Sequence, residues 1–316
     1  MVKPCVVRPL LALCMIGSPL VYAAEGGVGR PITGQQVFSN AGVVPPAPGW
    51  VMSVTSIWYD GEIKGSGGAP ISGEVSAGIK MKVSYTMANL THVWDTGKGQ
   101  WNYASAIGVP VQYTDIDAAV TGPRGRTLGT SDSGTQFADA LITPIAAGYH
   151  FDELNHIAFS LPIYVPTGAY NDNRLANAGQ NNYTFMPTVA FSHLDGKGGE
   201  FTLSGNLQFY TENKATDYRT GDIFTLEALW THGFGNGWNA GLVAGYVQQI
   251  SDDKGDTADT LNGFRGRSVG AGPTVGWSGK FADAQASVSA RWVPEFDTKN
   301  RPEGNGVAVN LTLAFF

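Results

Sequence analysis

The sequence predicts an all-β protein: a transmembrane antiparallel up-and-down β-barrel, with twelve strands between residues 50 and 316. Three observations predict it. Connections alternate short and long along the chain, as in a barrel with tight turns at one rim and longer loops at the other. The stretches between them alternate apolar and small polar residues at about the length that crosses a bilayer as strand. The chain also opens with an export signal and carries no cysteine beyond it.

Residues 1–23 read as that signal. Lys3 and Arg8 precede an apolar stretch over 10–21, and Ala23 and Ala24 supply small residues for cleavage. The stretch is shorter than the ~20 residues of a membrane helix. Both cysteines, Cys5 and Cys14, lie within it, so the exported part must be held by something other than disulfides. A closed ring of strands, with every backbone group paired, would serve. Residues 24–49 are rich in Gly and Pro, ending Pro45-Pro46-Ala47-Pro48, and predict an irregular arm that could lie in the lumen.

Short connections fall at 95–100, 152–155, 195–199, 235–237 and 280–283. Long ones are expected at 60–74, 117–134, 168–182, 214–220, 251–264 and 297–305. The cleanest strand runs from Phe201 to Glu212. Phe201, Leu203, Leu207 and Phe209 suit lipid, while Thr202, Ser204, Asn206, Gln208, Tyr210 and Glu212 suit a polar lumen. Phe224, Leu226 and Trp230 oppose Thr225 and Glu227, and Val288 and Trp292 oppose Ser289 and Arg291. Ile157, Phe159, Leu161, Ile163 and Val165 oppose Ser160 and Tyr164, whereas residues 136–151 alternate poorly. Trp50, Trp58, Trp94, Trp101, Tyr149, Trp230, Trp238 and Trp292 gather at strand ends, where amphipathic rings prefer the headgroup level. The last strand alternates Val307, Val309, Leu311, Leu313 and Phe315 before the terminal Phe316. It resembles the carboxy-terminal strand that barrel-assembly machinery recognises.

Composition excludes several classes. Removing Lys3 and Arg8 leaves 18 basic residues against 26 acidic, a net of −8, which argues against nucleic acid as a partner. A mean hydropathy of −0.07 is no argument against a membrane, because only alternate residues of a barrel strand face lipid. None of His92, His150, His156, His193 and His232 is followed two residues later by Ser, and no Asp-His dipeptide occurs. The patterns of barrel lipases and proteases are therefore absent, and no enzyme is expected. No motif calls for a cofactor or metal; the acidic run 251–259 lacks the spacing of a calcium loop.

Charges on the inward phase are informative, since Lys or Arg at the lipid midplane costs ~2–4 kcal/mol. Glu212, Glu227 and Arg291 fall on it, and Lys80 and Lys82 could join them. Such residues could brace the wall or set a field across a constriction. With Tyr164, Met186, Asn206, Gln208 and Tyr210 they are the candidate lumen-lining set. Arg124, Arg126, Arg265 and Arg267 in outer loops could meet lipopolysaccharide phosphates.

Several strings carry a family resemblance. Pro166-Thr167-Gly168-Ala169-Tyr170-Asn171 is followed by Asn177-Ala178-Gly179-Gln180-Asn181-Asn182-Tyr183 and Pro187. Next come Thr211-Glu212-Asn213-Lys214-Ala215-Thr216-Asp217-Tyr218-Arg219-Thr220-Gly221, then Gly245-Tyr246 with Gln248-Gln249, Asp252-Asp253 and Gly272-Pro273. Glu25-Gly26-Gly27 and Pro48-Gly49-Trp50 also fit. In order and spacing these resemble the outer-membrane family named for the meta-cleavage pathway of phenol degradation. The resemblance implies a barrel passing small hydrophobic, aromatic compounds across the outer membrane. A water-filled general porin is the alternative on the same architecture, and an adhesive barrel presenting its loops is a third.

Overall fold

Twelve antiparallel strands close on themselves because the first pairs with the last, in register from Trp50 opposite Phe315 to Glu62 opposite Glu303. The computed structural model describes residues 29–63, 69–71, 74–76, 78–97, 99–121, 127–260 and 262–316. The predicted export signal, residues 24–28, Arg124 and Arg126 lie outside them. Nine strands are continuous: β1 Gly49–Ile63, β2 Gly78–Val93, β3 Trp101–Thr121, β7 Glu200–Tyr210, β8 Ile223–Gly233, β9 Trp238–Gln249, β10 Arg267–Phe281, β11 Ala284–Lys299 and β12 Glu303–Phe315. Three are interrupted: β4 is Thr127–Phe137 then Ala140–His150, β5 is Asn155–Ser160 then Ile163–Val165, and β6 is Thr184–Phe185 then Thr188–Leu194. A small hairpin, Ala69–Ile71 with Glu74–Ser76, and a one-turn helix, Asp256–Thr260, decorate outer loops.

Short-range chemistry makes the tight turns. Asp95, Asp152 and Asp195 each accept backbone N–H groups two to four residues ahead, among them Gly97, Leu154, Lys197 and Gly199. Asn236 does the same for Trp238. Gly196, Gly198, Gly235 and Gly237 take the positive φ these turns need. Hydrogen bonding lowers two of these carboxyls in pKa, Asp195 mainly through the Lys197 N–H and Asp152 mainly through the Asn155 side chain.

Alternation sorts side chains as a membrane barrel requires. Along β7, Phe201, Leu203 and Phe209 are exposed outside, while Thr202, Ser204, Asn206, Gln208 and Tyr210 are buried inside. Near the short-turn rim, Trp50 packs on His92 and His92 on Trp94, and Trp101 packs on Tyr149. Trp230, Phe234 and Trp238 continue this girdle. Trp58, Tyr113 and Trp292 are exposed toward the opposite rim.

Three sequence expectations need correction. The stretch 117–134 is largely hairpin rather than loop, with Asp117 opposite Ser131 and Asp115 opposite Ser133. Its charges suggested a loop because β3 and β4 run past the apolar band into water. Lys80 and Lys82 are exposed on the outer face, flanked in register by Asp60 and Glu62 on β1 and by Asp115 and Asp117 on β3. That height lies beyond the lipid midplane, so the charges carry no midplane penalty. Glu212 is exposed and past the end of β7 at Tyr210, so alternation no longer governs it.

The poor alternation of 136–151 has a structural cause, the break in β4 at Ala138 and Asp139. β5 breaks beside it at Leu161 and Pro162, and β6 at Met186 and Pro187. Proline lacks the N–H a ladder needs. The Pro162 and Pro187 carbonyls still accept bonds from Met186 (2.9 Å) and Leu207 (3.1 Å), which keeps the wall joined across the breaks.

Candidate functional site

Residues 29–48 run down the lumen from the long-loop rim to the short-turn rim, tied to the wall at nearly every turn. Near the top, Arg30 pairs with Asp139 at 2.9 Å, donates to Thr184 at 2.7 Å, and lies 4.3 Å over the Tyr164 ring. Its backbone N–H donates to the Tyr210 hydroxyl. Arg301 donates to the Pro31 carbonyl at 2.6 Å, and Thr33 to Glu295 at 2.6 Å. At mid-height the Glu227 carboxylate accepts the N–H groups of Gly34, Gln36 and Val37 at 2.8, 2.8 and 2.6 Å. Arg291 donates to the Gly34 and Val37 carbonyls at 3.2 and 2.6 Å. Lower down, Glu200 accepts from the Ser39 hydroxyl and from the Asn40 N–H, Ser192 accepts the Gly42 N–H, and a ring nitrogen of His150 meets the Val44 carbonyl.

Apolar contacts add to these bonds. Val37 is buried with Leu229, Val243 and Val293, and Val44 with Val93, Ala104 and Ala158. The arm's backbone also needs room. A Cβ at Gly245 would collide with the Gly34 backbone nitrogen, so the wall is smooth where the arm lies closest. Glutamate on the arm's amides and arginine on its carbonyls satisfy a non-regular backbone that makes no ladder of its own.

The candidate lumen residues divide into two groups. Asn206, Gln208, Tyr210, Glu227 and Arg291 face inward but are covered by the arm: Asn206 bonds Gln36, Gln208 bonds Asn206, and Tyr210 donates to Gln208. Tyr164 and Met186 instead line an open cavity of about 290 Å³ between the arm and the opposite wall. That wall is mainly apolar, with Ile57 from β1, Ile79, Met81, Val83, Tyr85 and Met87 from β2, and Ile116 from β3, interleaved with Thr55, Gln112 and Thr114. These residues were not among the sequence candidates, although the run of five on the β2 face opposite Lys80 and Lys82 carries the signal.

Outer loops roof this chamber. Leu175 and Phe264, from two different loops, are buried against Ile79, Ile116 and Ala118. Asp139, freed by the break in β4, accepts the N–H groups of Gly168 and Gln180 as well as the Arg30 guanidinium, so one carboxylate ties loop, wall and arm together. Arg174 pairs with Asp132, and the Arg174 guanidinium mainly accounts for the lowered pKa of that carboxyl. In the acidic run, Asp253 is engaged by Tyr218, Gly221 and Gln249. Among the described residues no group of three or more potential metal ligands occurs.

Below the arm, a second cavity of about 560 Å³ reaches the short-turn rim, lined by Ser53, Asn89, Thr143, Ser289, Asn310 and Thr312 among others. His150 and His156 meet at 2.7 Å through their Nδ1 atoms, bracing the lower end of the arm. His92, His193 and His232 are strand-end residues beside Trp50, Asn155 and Phe234 respectively.

Fold and lumen together define a class, the twelve-strand outer-membrane type of barrel occupied by its own N-terminal segment. The chain belongs to the family described as "Putative MetA-pathway of phenol degradation", whose model matches residues 64–311. It is similar in fold to the crystal structure of an outer membrane channel from Pseudomonas putida F1, with 16% identity and a TM-score of 0.68, covering 89% of this chain and 100% of that one. More distant are the beta domain of the Bordetella autotransporter BrkA (10% identity, TM-score 0.49, 84% of this chain and 100% of that one) and a Pseudomonas aeruginosa FadL homologue (12%, 0.41, 93% and 98%). No curated protein sequence matches the chain.

Proposed function

We propose that this protein is an outer-membrane channel for small hydrophobic, aromatic solutes. The observation that carries this reading is the upper chamber of about 290 Å³, lined predominantly by aliphatic, methionine and tyrosine surface with polar groups such as Gln112, Thr114 and Asn182 among them. An apolar cavity of roughly 150 Å³ accepts benzene, so this one has room for a single substituted ring. A hydrated sugar would have to give up its water to an apolar wall, whereas an aromatic ring gains by leaving water. The arm fills much of the remaining lumen, which weighs against a wide water-filled pore. In this reading the long loops face outward, and Arg265 and Arg267 at their bases are the described candidates to meet lipopolysaccharide phosphates. The strand ending at Phe315, followed by Phe316, is the segment offered to the assembly machinery.

Binding of labelled ethylbenzene and of glucose to the purified protein tests the reading. The hydrocarbon should bind and the sugar should not. Substituting Met81→Asp should weaken hydrocarbon binding by about ten-fold or more, the equivalent of losing one buried apolar side chain. Equal binding of both solutes, indifferent to Met81→Asp, would sink it.

A further inference from the structure

The upper chamber and the lower vestibule are two compartments of one lumen, and four residues line both: Phe38 on the arm, Thr55 on β1, Met87 on β2 and Leu141 on β4. The geometry points to the Phe38 side chain as the inner gate between them, a ring that swings on an arm that stays in place.

Two observations carry this. First, the backbone is pinned on either side of Phe38. Val37 is fixed through its N–H to Glu227 and its carbonyl to Arg291. Ser39 and Asn40 are fixed to Glu200, and the Phe38 carbonyl accepts the Ala41 N–H at 3.2 Å. Second, the ring stands open to both compartments. Phe38 is 39% exposed inside the barrel, while Val37 beside it is 0% exposed. A fixed peptide carrying an exposed ring can open a passage by side-chain rotation alone, with no displacement of the arm.

The chemistry of the constriction suits its place. The side chains common to both compartments are three apolar ones, Phe38, Met87 and Leu141, and Thr55, whose hydroxyl is already engaged by the Asn310 amide at 2.8 Å. Hydrophobic constrictions gate by excluding water, and ions with it. An apolar solute in the chamber instead wets the ring and can pass as it turns. The gate would admit what the chamber binds and resist ion leak. It is a claim about where the lumen opens, separate from solute identity, so ion conductance can test it even if the aromatic reading fails.

The test is single-channel conductance of the full-length folded protein in planar bilayers, for wild type, Phe38→Ala and Phe38→Trp. Hydrogen exchange at the Gly34, Gln36 and Val37 amides is followed in the same variants. Phe38→Ala should raise conductance on the order of two-fold or more as the hydrophobic constriction is lost, and Phe38→Trp should lower it. The three amides should stay as protected as in wild type. Unchanged conductance in a folded Phe38→Ala protein would overturn the inference. So would a rise accompanied by lost protection, because the arm would then be the moving part. If Phe38→Ala does not fold, Met87→Ala and Leu141→Ala probe the same constriction from the wall, with the same outcomes deciding.

Discussion

Glu227 accepts three backbone N–H groups from a segment 190 to 193 residues away. Alternation along β8 was enough to place it inside the barrel, because a glutamate between Leu226 and Ala228 has one face left to occupy. What it binds there was not legible: no local pattern links a strand carboxylate to amides so far off in sequence. Lys80 and Lys82 show the opposite failure. Their charge suggested the lumen, but distance from the lipid midplane was the deciding variable, and a single strand does not report it. Removing the Glu227 carboxylate should leave three buried donors without their partner, at roughly 1–3 kcal/mol each unless water replaces it. Glu227→Ala should therefore release the Gly34, Gln36 and Val37 amides to hydrogen exchange while β8 keeps its ladders to β7 and β9. Protection as in wild type would show that the arm is held by its other contacts.

At the scale of elements, the sequence was most readable where a strand is continuous and half-facing lipid, as in β7, β8 and β12. It was least readable in β4, β5 and β6, where neighbouring breaks reset the alternation. Pro162 and Pro187 were visible, but their falling side by side in the sheet depends on strand pairing rather than on either strand alone. The arm is the element with the most consequence for transport. Its Gly- and Pro-rich composition indicated irregular backbone, while its anchors, Glu200, Glu227, Glu295, Arg291 and Arg301, are spread over β7, β8, β11 and the turn between β11 and β12. Because the barrel closes between β1 and β12 without it, deletion of residues 29–48 should leave a heat-resistant barrel. Its ion conductance should be several-fold above wild type, as expected when a plug leaves a pore. Loss of the folded barrel would show instead that the arm is part of its core, and unchanged conductance would show that it is no plug.

For the whole molecule, closure governs both stability and function. A ring of twelve strands has no free edge, satisfies its backbone within itself, and presents an apolar outer band between aromatic girdles. The alternation of short and long connections was sufficient to read this architecture from sequence, since it follows from chain topology rather than from any one residue. The interior was legible only in part. The sequence reading favoured a polar lumen, but much of the polar wall is where the arm docks; of the space left open, the upper chamber is mainly apolar and the lower vestibule keeps polar groups. The most direct test of the central claim is uptake by cells lacking the protein against cells in which it is restored. A labelled alkylbenzene and a sugar of similar size are compared at concentrations low enough for outer-membrane entry to limit. Faster entry of the alkylbenzene alone is the predicted result. Equal acceleration of both, or of neither, would contradict a hydrophobic-solute channel.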